Sequence, residues 1–155
     1  MEKLERTNVV LEMIHEDEDL EEFYQIAQDS GVQEYVGFMY PTDRMQAREI
    51  LDFLADPRLI CFKIVEVGTY NMVGIILGDP LTSTMIDISY FVGADYRGQG
   101  YCSSAVRQFE DYLREDTYFK YMRFFVKEDN AESQGVMNRL GIQRKFGNIY
   151  MLDLE

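Results

Sequence analysis

MIDISYFVGADYRGQGYCSSAV, residues 85–106, carries the strongest structural signal in the chain. It opens as an apolar, strand-like run and closes as a helical pattern, with Arg97, Gly98, Gln99 and Gly100 at the junction. Glycine at such a place lets backbone N–H groups come close to a ligand. The first N–H groups of a helix lack helical partners, and the helix start carries positive partial charge. A glycine turn feeding a helix is therefore an anion site, most often for phosphate.

Two well-known phosphate motifs can be tested against it. A P-loop needs Lys and then Ser/Thr after its last glycine, and Tyr101 and Cys102 stand there instead. The dinucleotide pattern G-x-G-x-x-G fits in part: Gly98 and Gly100 are present, Ser103 replaces the third glycine, and Glu128 ends the next strand pattern where a ribose-binding acid would sit. That pattern belongs to folds with several parallel strands. It remains open as a rival, although this chain shows hairpins on both sides of a single crossover.

On the N-terminal side, residues 8–14 read as a strand. An acidic helix follows, with Leu20, Phe23, Tyr24 and Ala27 as its apolar stripe and Gly31 as its stop. Residues 35–40 are expected to be a loop between two helices. A second helix starts at Pro41-Thr42, with Thr42 as N-cap, and buries Ala47, Ile50, Leu51 and Leu54 before Pro57. Residues 59–67, 72–77 and 84–92 form a three-strand meander. Beyond the glycine turn come a helix led by Ala105, Val106, Phe109, Tyr112 and Leu113, a strand at 121–127, a helix capped by Asn130 and ended by Gly141, and a closing hairpin around Gly147 and Asn148. The order β–α–α–β–β–β–α–β–α–β–β predicts an α+β domain with a mixed sheet and one β–α–β unit.

At 155 residues the chain is expected to be one domain with a substantial core. Apolar residues make up 46%, which argues against disorder, and no apolar run reaches membrane-spanning length. No signal-peptide pattern opens the chain, and Cys61 and Cys102 have neither disulfide nor metal-ligand spacing, so a cytoplasmic location is expected. A single histidine, His15, makes a His-rich metal site unexpected. The net charge of −13 is lopsided: residues 1–96 hold six Lys/Arg against nineteen Asp/Glu, and residues 97–155 hold nine of each. Nucleic-acid binding calls for the opposite sign. The acidic part either keeps the protein soluble or attracts a cationic substrate.

The motif read as Q/R-x-x-G-x-G/A, from Arg97 through Gly100 to Cys102, resembles the pyrophosphate loop of the GNAT N-acetyltransferase superfamily. NAESQGVMNRLGI, residues 130–142, is similar to that family's later helix, matching at Asn130, Ser133, Val136 and Gly141, with Ile142 in place of an aromatic. IDISYFV, residues 86–92, and the layout of the first ninety residues resemble the RimJ/RimL-type, ribosomal-protein N-terminal acetyltransferase branch. The resemblance covers nearly the whole chain, 1–155, as a single GNAT domain. It implies a mostly antiparallel twisted sheet flanked by helices, with the fourth and fifth strands splayed around the pantetheine arm of acetyl-CoA. It further implies that amides around Arg97, Gly98, Gln99, Gly100, Tyr101, Cys102 and Ser103 receive the pyrophosphate. Main-chain groups of Tyr90, Phe91 and Val92 would pair with the arm, and Asn130 would reach it from the other side or serve only as a cap. Arg97 would supply charge or brace the loop. A homodimer is also implied; no metal, nucleic acid or membrane is.

Amide formation from acetyl-CoA needs a neutral amine. At pH 7 an α-amine is roughly 10% neutral and a lysine about 0.04%, so a base helps the lysine more. Asp87, an acid in an apolar strand on the face shared with Ser89 and Phe91, is the candidate base or else a solvated surface acid. Glu66 is a weaker candidate. Many family members use a tyrosine acid where this chain has Met137, and the resemblance offers Ser133 instead, as acid or as a small packing residue. Cys102, at a helix start, is either a nucleophile or a tolerated small residue. The expected activity is direct acetyl transfer to a primary amine, on a protein N-terminus or a small molecule. The alternatives are a polyamine, amino-acid or aminoglycoside acetylase, and an idle acyl-CoA-binding module.

Overall fold

The computed structural model describes residues 8–155. Its strands are β1 (Val9–Glu12), β2 (Ile60–Glu66), β3 (Met72–Pro80), β4 (Met85–Val92), β5 (Tyr121–Phe125), β6 (Gln143–Phe146) and β7 (Ile149–Asp153). Its helices are α1 (Glu16–Ala27), α2 (Ser30–Tyr35), α3 (Arg44–Leu54), α4 (Tyr101–Asp116) and α5 (Ala131–Leu140). The strands form one sheet ordered β1-β2-β3-β4-β5-β7-β6. Every neighbouring pair is antiparallel except β4 and β5, which α4 joins by a crossover. This is the GNAT fold of the α+β class, as the resemblance implies.

Alternation along the strands feeds two apolar layers. Ile76, Ile86, Ile88, Met122 and Phe124 pack with Phe109, Leu113, Val136 and Met137 of α4 and α5. Ile75, Leu77 and Phe91 pack on the other face with Phe23, Ala27, Leu51 and Leu54 of α1 and α3. Gly74 in β3 is dictated by packing, since a Cβ there would collide with the Phe91 carbonyl of β4. Among the described residues, no helix is long and apolar enough to cross a membrane.

Two local expectations are corrected. Gly31 does not stop a helix but lies inside α2, a short helix that the sequence reading left out. Asp29 creates it: Asp29 Oδ1 accepts the Gly31 N–H at 2.8 Å and caps a new start two residues after α1 ends. The stretch expected as a loop then continues as a 3-10 turn, Gly37–Met39. Likewise the N-cap of α3 is Asp43, whose Oδ1 accepts the Gln46 N–H at 2.8 Å, and not Thr42. Thr42 instead meets the Gln46 side chain.

The site is created by what β4 and β5 do not share. Their parallel pairing runs from Met85 with Tyr121 to Ile88 with Phe124 and then stops. The rest of β4 has β3 on one side and an opening on the other.

Candidate active site

At the wide end of that opening lies a 520 Å³ cavity between the glycine turn and α5. Gly98 and Gly100 have φ of +80° and +79°, values that side-chain-bearing residues rarely adopt. A Cβ on either would meet no atom within 4 Å, so open space faces both. Gly100 is the N-cap of α4 and makes no side-chain capping bond. The α4 ladder begins with the Ser104 N–H bonding Gly100 O, which leaves the amides of Tyr101, Cys102 and Ser103 without helical acceptors. The first turn of α4 contains no acid. A bare helix start beside an open cavity has the donor set that a pyrophosphate needs.

Two arginines divide the work around this cavity. Arg97 is a brace: its Nε donates to Val92 O at 3.0 Å and its Nη2 to Asp29 Oδ2 at 2.5 Å. Because Asp29 also caps α2, Arg97 ties the glycine turn to that helix. Arg139 of α5, which sequence reasoning missed, lines the cavity and donates from Nε to Ser103 Oγ at 3.0 Å. The signal was there in the spacing of Ala131, Gly135 and Arg139, two small residues and a cation at i, i+4 and i+8 on one helix face. Gln99 is pinned through its carbonyl, which accepts from Asn8 Nδ2 at 3.1 Å.

Tyr101 turns its ring away from this role. Its hydroxyl donates to Glu66 Oε2 at 2.5 Å, and that bond, with partial burial, pushes the phenol up to about 12. The same bond and one from Thr69 hold the Glu66 carboxyl below its ordinary value. Glu66 therefore anchors α4 to the sheet, and it lines none of the cavities described here. Burial, with Glu132 nearby, pushes the Cys102 thiol up to about 12, against the opposite pull of Arg97 and Arg139.

A second cavity of 170 Å³ continues from the first, sharing Val92, Arg97, Cys102, Ala131 and Glu132. The open edge of β4 forms one wall. Gly93 N–H bonds Val73 O, so by antiparallel alternation the main chains of Ser89 and Phe91 face β3 while those of Tyr90 and Val92 face the opening. Of the three residues expected to present main-chain groups, Phe91 is thus turned the other way, and the Val92 carbonyl is taken by Arg97. The Tyr90 groups and the Val92 N–H remain. Asn130 lies opposite and does cap α5, its Oδ1 accepting the Ser133 N–H at 3.1 Å.

A third cavity of 200 Å³ shares Tyr35, Val36, Tyr90, Asn130 and Ser133 with the second. Asp87 lines it, with Oδ1 accepting from Arg123 Nε at 3.0 Å. Ser133 Oγ accepts from the Tyr90 hydroxyl at 3.1 Å. Met137, one turn along α5, is fully buried. Helix α2 roofs this junction and is tied at its far end too, since the Tyr35 hydroxyl donates to Asp129 O at 3.1 Å. The acids Glu16, Asp17, Glu18 and Asp19 line none of the three cavities. Among the described residues, no group of three or more His, Cys, Asp or Glu is placed to hold a metal ion.

The Acetyltransferase (GNAT) domain family matches residues 8–143. The chain belongs to this family. No curated protein matches it significantly. Among solved structures, a GNAT-family acetyltransferase from Bacillus anthracis has a TM-score of 0.84 at 17% identity, covering 97% of each chain. A proposed ribosomal-protein-serine acetyltransferase from Vibrio cholerae has a TM-score of 0.80 at 18% identity, over 97% of this chain and 96% of that one. The spermidine N-acetyltransferase of Vibrio cholerae, solved with CoA and spermine, has a TM-score of 0.78 at 11% identity, over 96% and 97%. At such identities the likeness establishes the fold that these GNAT proteins share.

Proposed function

We propose that this GNAT protein, as a single domain over 1–155, transfers an acetyl group directly from acetyl-CoA to a primary amine. The carrying observation is the unbroken run of three cavities, from the bare start of α4, along the open edge of β4, to the pocket at Asp87 and Ser133. Acetyl-CoA would supply the acetyl group as a thioester. The amides of Tyr101, Cys102 and Ser103, with Arg139, would hold its pyrophosphate, and Tyr90, Val92 and Asn130 its arm. Direct transfer is favoured because Cys61 lines none of the three cavities and Cys102 lines the first two but not the acceptor pocket, so neither thiol stands where an acetyl group would pass to the amine. Asp87 would take the proton shed by the amine through its second oxygen, while Arg123 keeps the carboxylate oriented. Ser133 would give a proton to the departing sulfur.

The acceptor pocket also bears on the substrate. Its one carboxylate, Asp87, is already paired with Arg123, and Tyr35, Phe38 and Phe125 supply aromatic walls. That favours a single amine on an uncharged or apolar body, such as a peptide N-terminus, over a polycation that needs several free carboxylates. It also agrees with the RimJ/RimL-type branch. The buried Met137, where a tyrosine acid is common in the family, favours a second reading, an acyl-CoA-binding module without catalysis. Thiol release from acetyl-CoA across a panel of peptide α-amines, lysine, spermidine and an aminoglycoside separates these readings. We expect release with α-amines first, and a fall of about 10²-fold in kcat for Ser133→Ala. Tight CoA binding with no release for any amine would support the module instead.

A further inference from the structure

Tyr90 has a side-chain position that its main-chain role does not require. Its ring leaves β4 toward α5, and its hydroxyl ends 3.1 Å from Ser133 Oγ. Both residues line the second and the third cavity, so their hydroxyls meet where the run of the cofactor joins the acceptor pocket. A serine hydroxyl has one proton and two lone pairs. Tyr90 fills one lone pair, which forces the Ser133 proton to point elsewhere.

Serine on a helix commonly sends that proton back to the carbonyl four residues earlier. For Ser133 that carbonyl belongs to Asp129, which precedes the N-cap Asn130 and so lies outside the α5 ladder, and the Tyr35 hydroxyl donates to it at 3.1 Å. The Ser133 N–H is likewise occupied, by Asn130 Oδ1. With Tyr90 on one lone pair, the Ser133 hydroxyl is free to present its proton to the junction that both residues line. Burial raises the Tyr90 phenol above its ordinary value, so Tyr90 keeps the proton that it donates to Ser133.

We propose that Tyr90 is a positioning residue that fixes the Ser133 hydroxyl with its proton aimed at the departing sulfur. The inference rests on the acetyltransferase reading above. In the step, the amine nitrogen bonds the acetyl carbon and the C–S bond breaks with its electron pair passing to sulfur. Ser133 gives its proton to the sulfur and regains one from water in the open acceptor pocket. The proton shed by the nitrogen leaves through Asp87. Tyr90 keeps its own proton throughout. A phenol thus serves this site from the sheet, where many relatives bring one from the helix position that Met137 occupies here.

Tyr90→Phe tests this, because it deletes the hydroxyl and keeps the ring. Expected is a fall in kcat of about 5- to 10-fold, the weight of one hydrogen bond, with the KM and the calorimetric Kd for acetyl-CoA within about twofold of wild type. In a Ser133→Ala background the same change should cost less than about twofold, because the two residues act as one unit. A readout independent of turnover is the Ser133 side-chain rotamer in the free protein, followed by NMR scalar couplings. It should be single in the wild type and averaged in Tyr90→Phe. An undiminished kcat, equal costs in both backgrounds, or an unchanged rotamer would overturn the proposal while leaving acetyl transfer intact. A wild-type protein that acetylates no amine would overturn both.

Discussion

Helices α1 and α4 begin in opposite ways. The first turn of α1 is Glu16, Asp17, Glu18 and Asp19, so it brings its own anions to its positive end. Asp19 accepts the His15 N–H at 2.8 Å and the Lys63 ammonium at 2.9 and 3.0 Å. The first turn of α4 has no acid and no capping side chain, and a 520 Å³ cavity lies against it. Both starts obey the same electrostatics. One is satisfied by the chain itself and serves stability, and the other is left for a ligand.

Giving α4 its own anion should erase the difference. Ser103→Asp places a carboxylate in the first turn, within reach of Arg139, which now donates to Ser103 Oγ. The new charge would occupy the place of the phosphates and capture the cation beside them. Calorimetry should show acetyl-CoA affinity falling by about 10³-fold, near 4 kcal/mol. Thermal stability should hold or rise, since an acid at a helix start contributes about 0.3–1 kcal/mol. Ser103→Asn, a neutral isostere, should stay close to wild type. Full affinity in the aspartate variant would place the phosphates somewhere other than the start of α4.

Taking the anion away from α1 is the reverse operation. Asp19 is 4% exposed, and its partner Lys63 keeps a side-chain exposure of 14%. Asp19→Ala would leave that ammonium inside without a counter-charge. A cost of about 2 kcal/mol in urea unfolding is expected, below the figure for a fully buried pair because Lys63 retains some water. Affinity for acetyl-CoA should not change. A loss under about 0.5 kcal/mol would mean that the α1 start is no more than a solvated surface.

The same contrast explains what could be read from the sequence. The strands, the crossover and the glycine turn were legible because apolar period and glycine position are local signals. Helix α2 was missed because its cause is a single side chain, Asp29, which converts Gly31 from a stop into an interior residue. The placement of Asn130 and Ser133 on the start of one helix followed from spacing. The engagement of Arg97 with Asp29 could not, since the two are 68 residues apart and meet only after folding. Nor could the turning of Phe91 toward β3, which depends on the hydrogen-bond phase of β4. Arg139 was hidden for a simpler reason: a cation in the last turn of a helix already has an ordinary explanation in the helix dipole.

The smallest effect concerns the acidic excess of the first 96 residues. Among residues 8–96 the four cations, Arg44, Arg48, Arg58 and Lys63, are each in an ion pair with an acid of the same stretch. Asp17 is spent on Arg48 at 2.6 Å, and Asp19 on Lys63. Lys63 is in register with Ile75, and Ile75 with Phe91, so the Asp19–Lys63 pair at the start of α1 is anchored on a strand two removed from β4. Two strand spacings are roughly 10 Å, beyond the screening length of about 8 Å near physiological ionic strength. Neutralising Glu16, Asp17 and Glu18 together should therefore change acceptor kcat/KM by less than about twofold at low salt, and by nothing measurable near 0.15 M. Initial rates at several salt concentrations, with the acceptor limiting, measure this. A salt response that is present in the wild type and flattened by these three changes would mean that the acidic start of α1 attracts the acceptor after all, and that its anions serve a ligand as well as the helix.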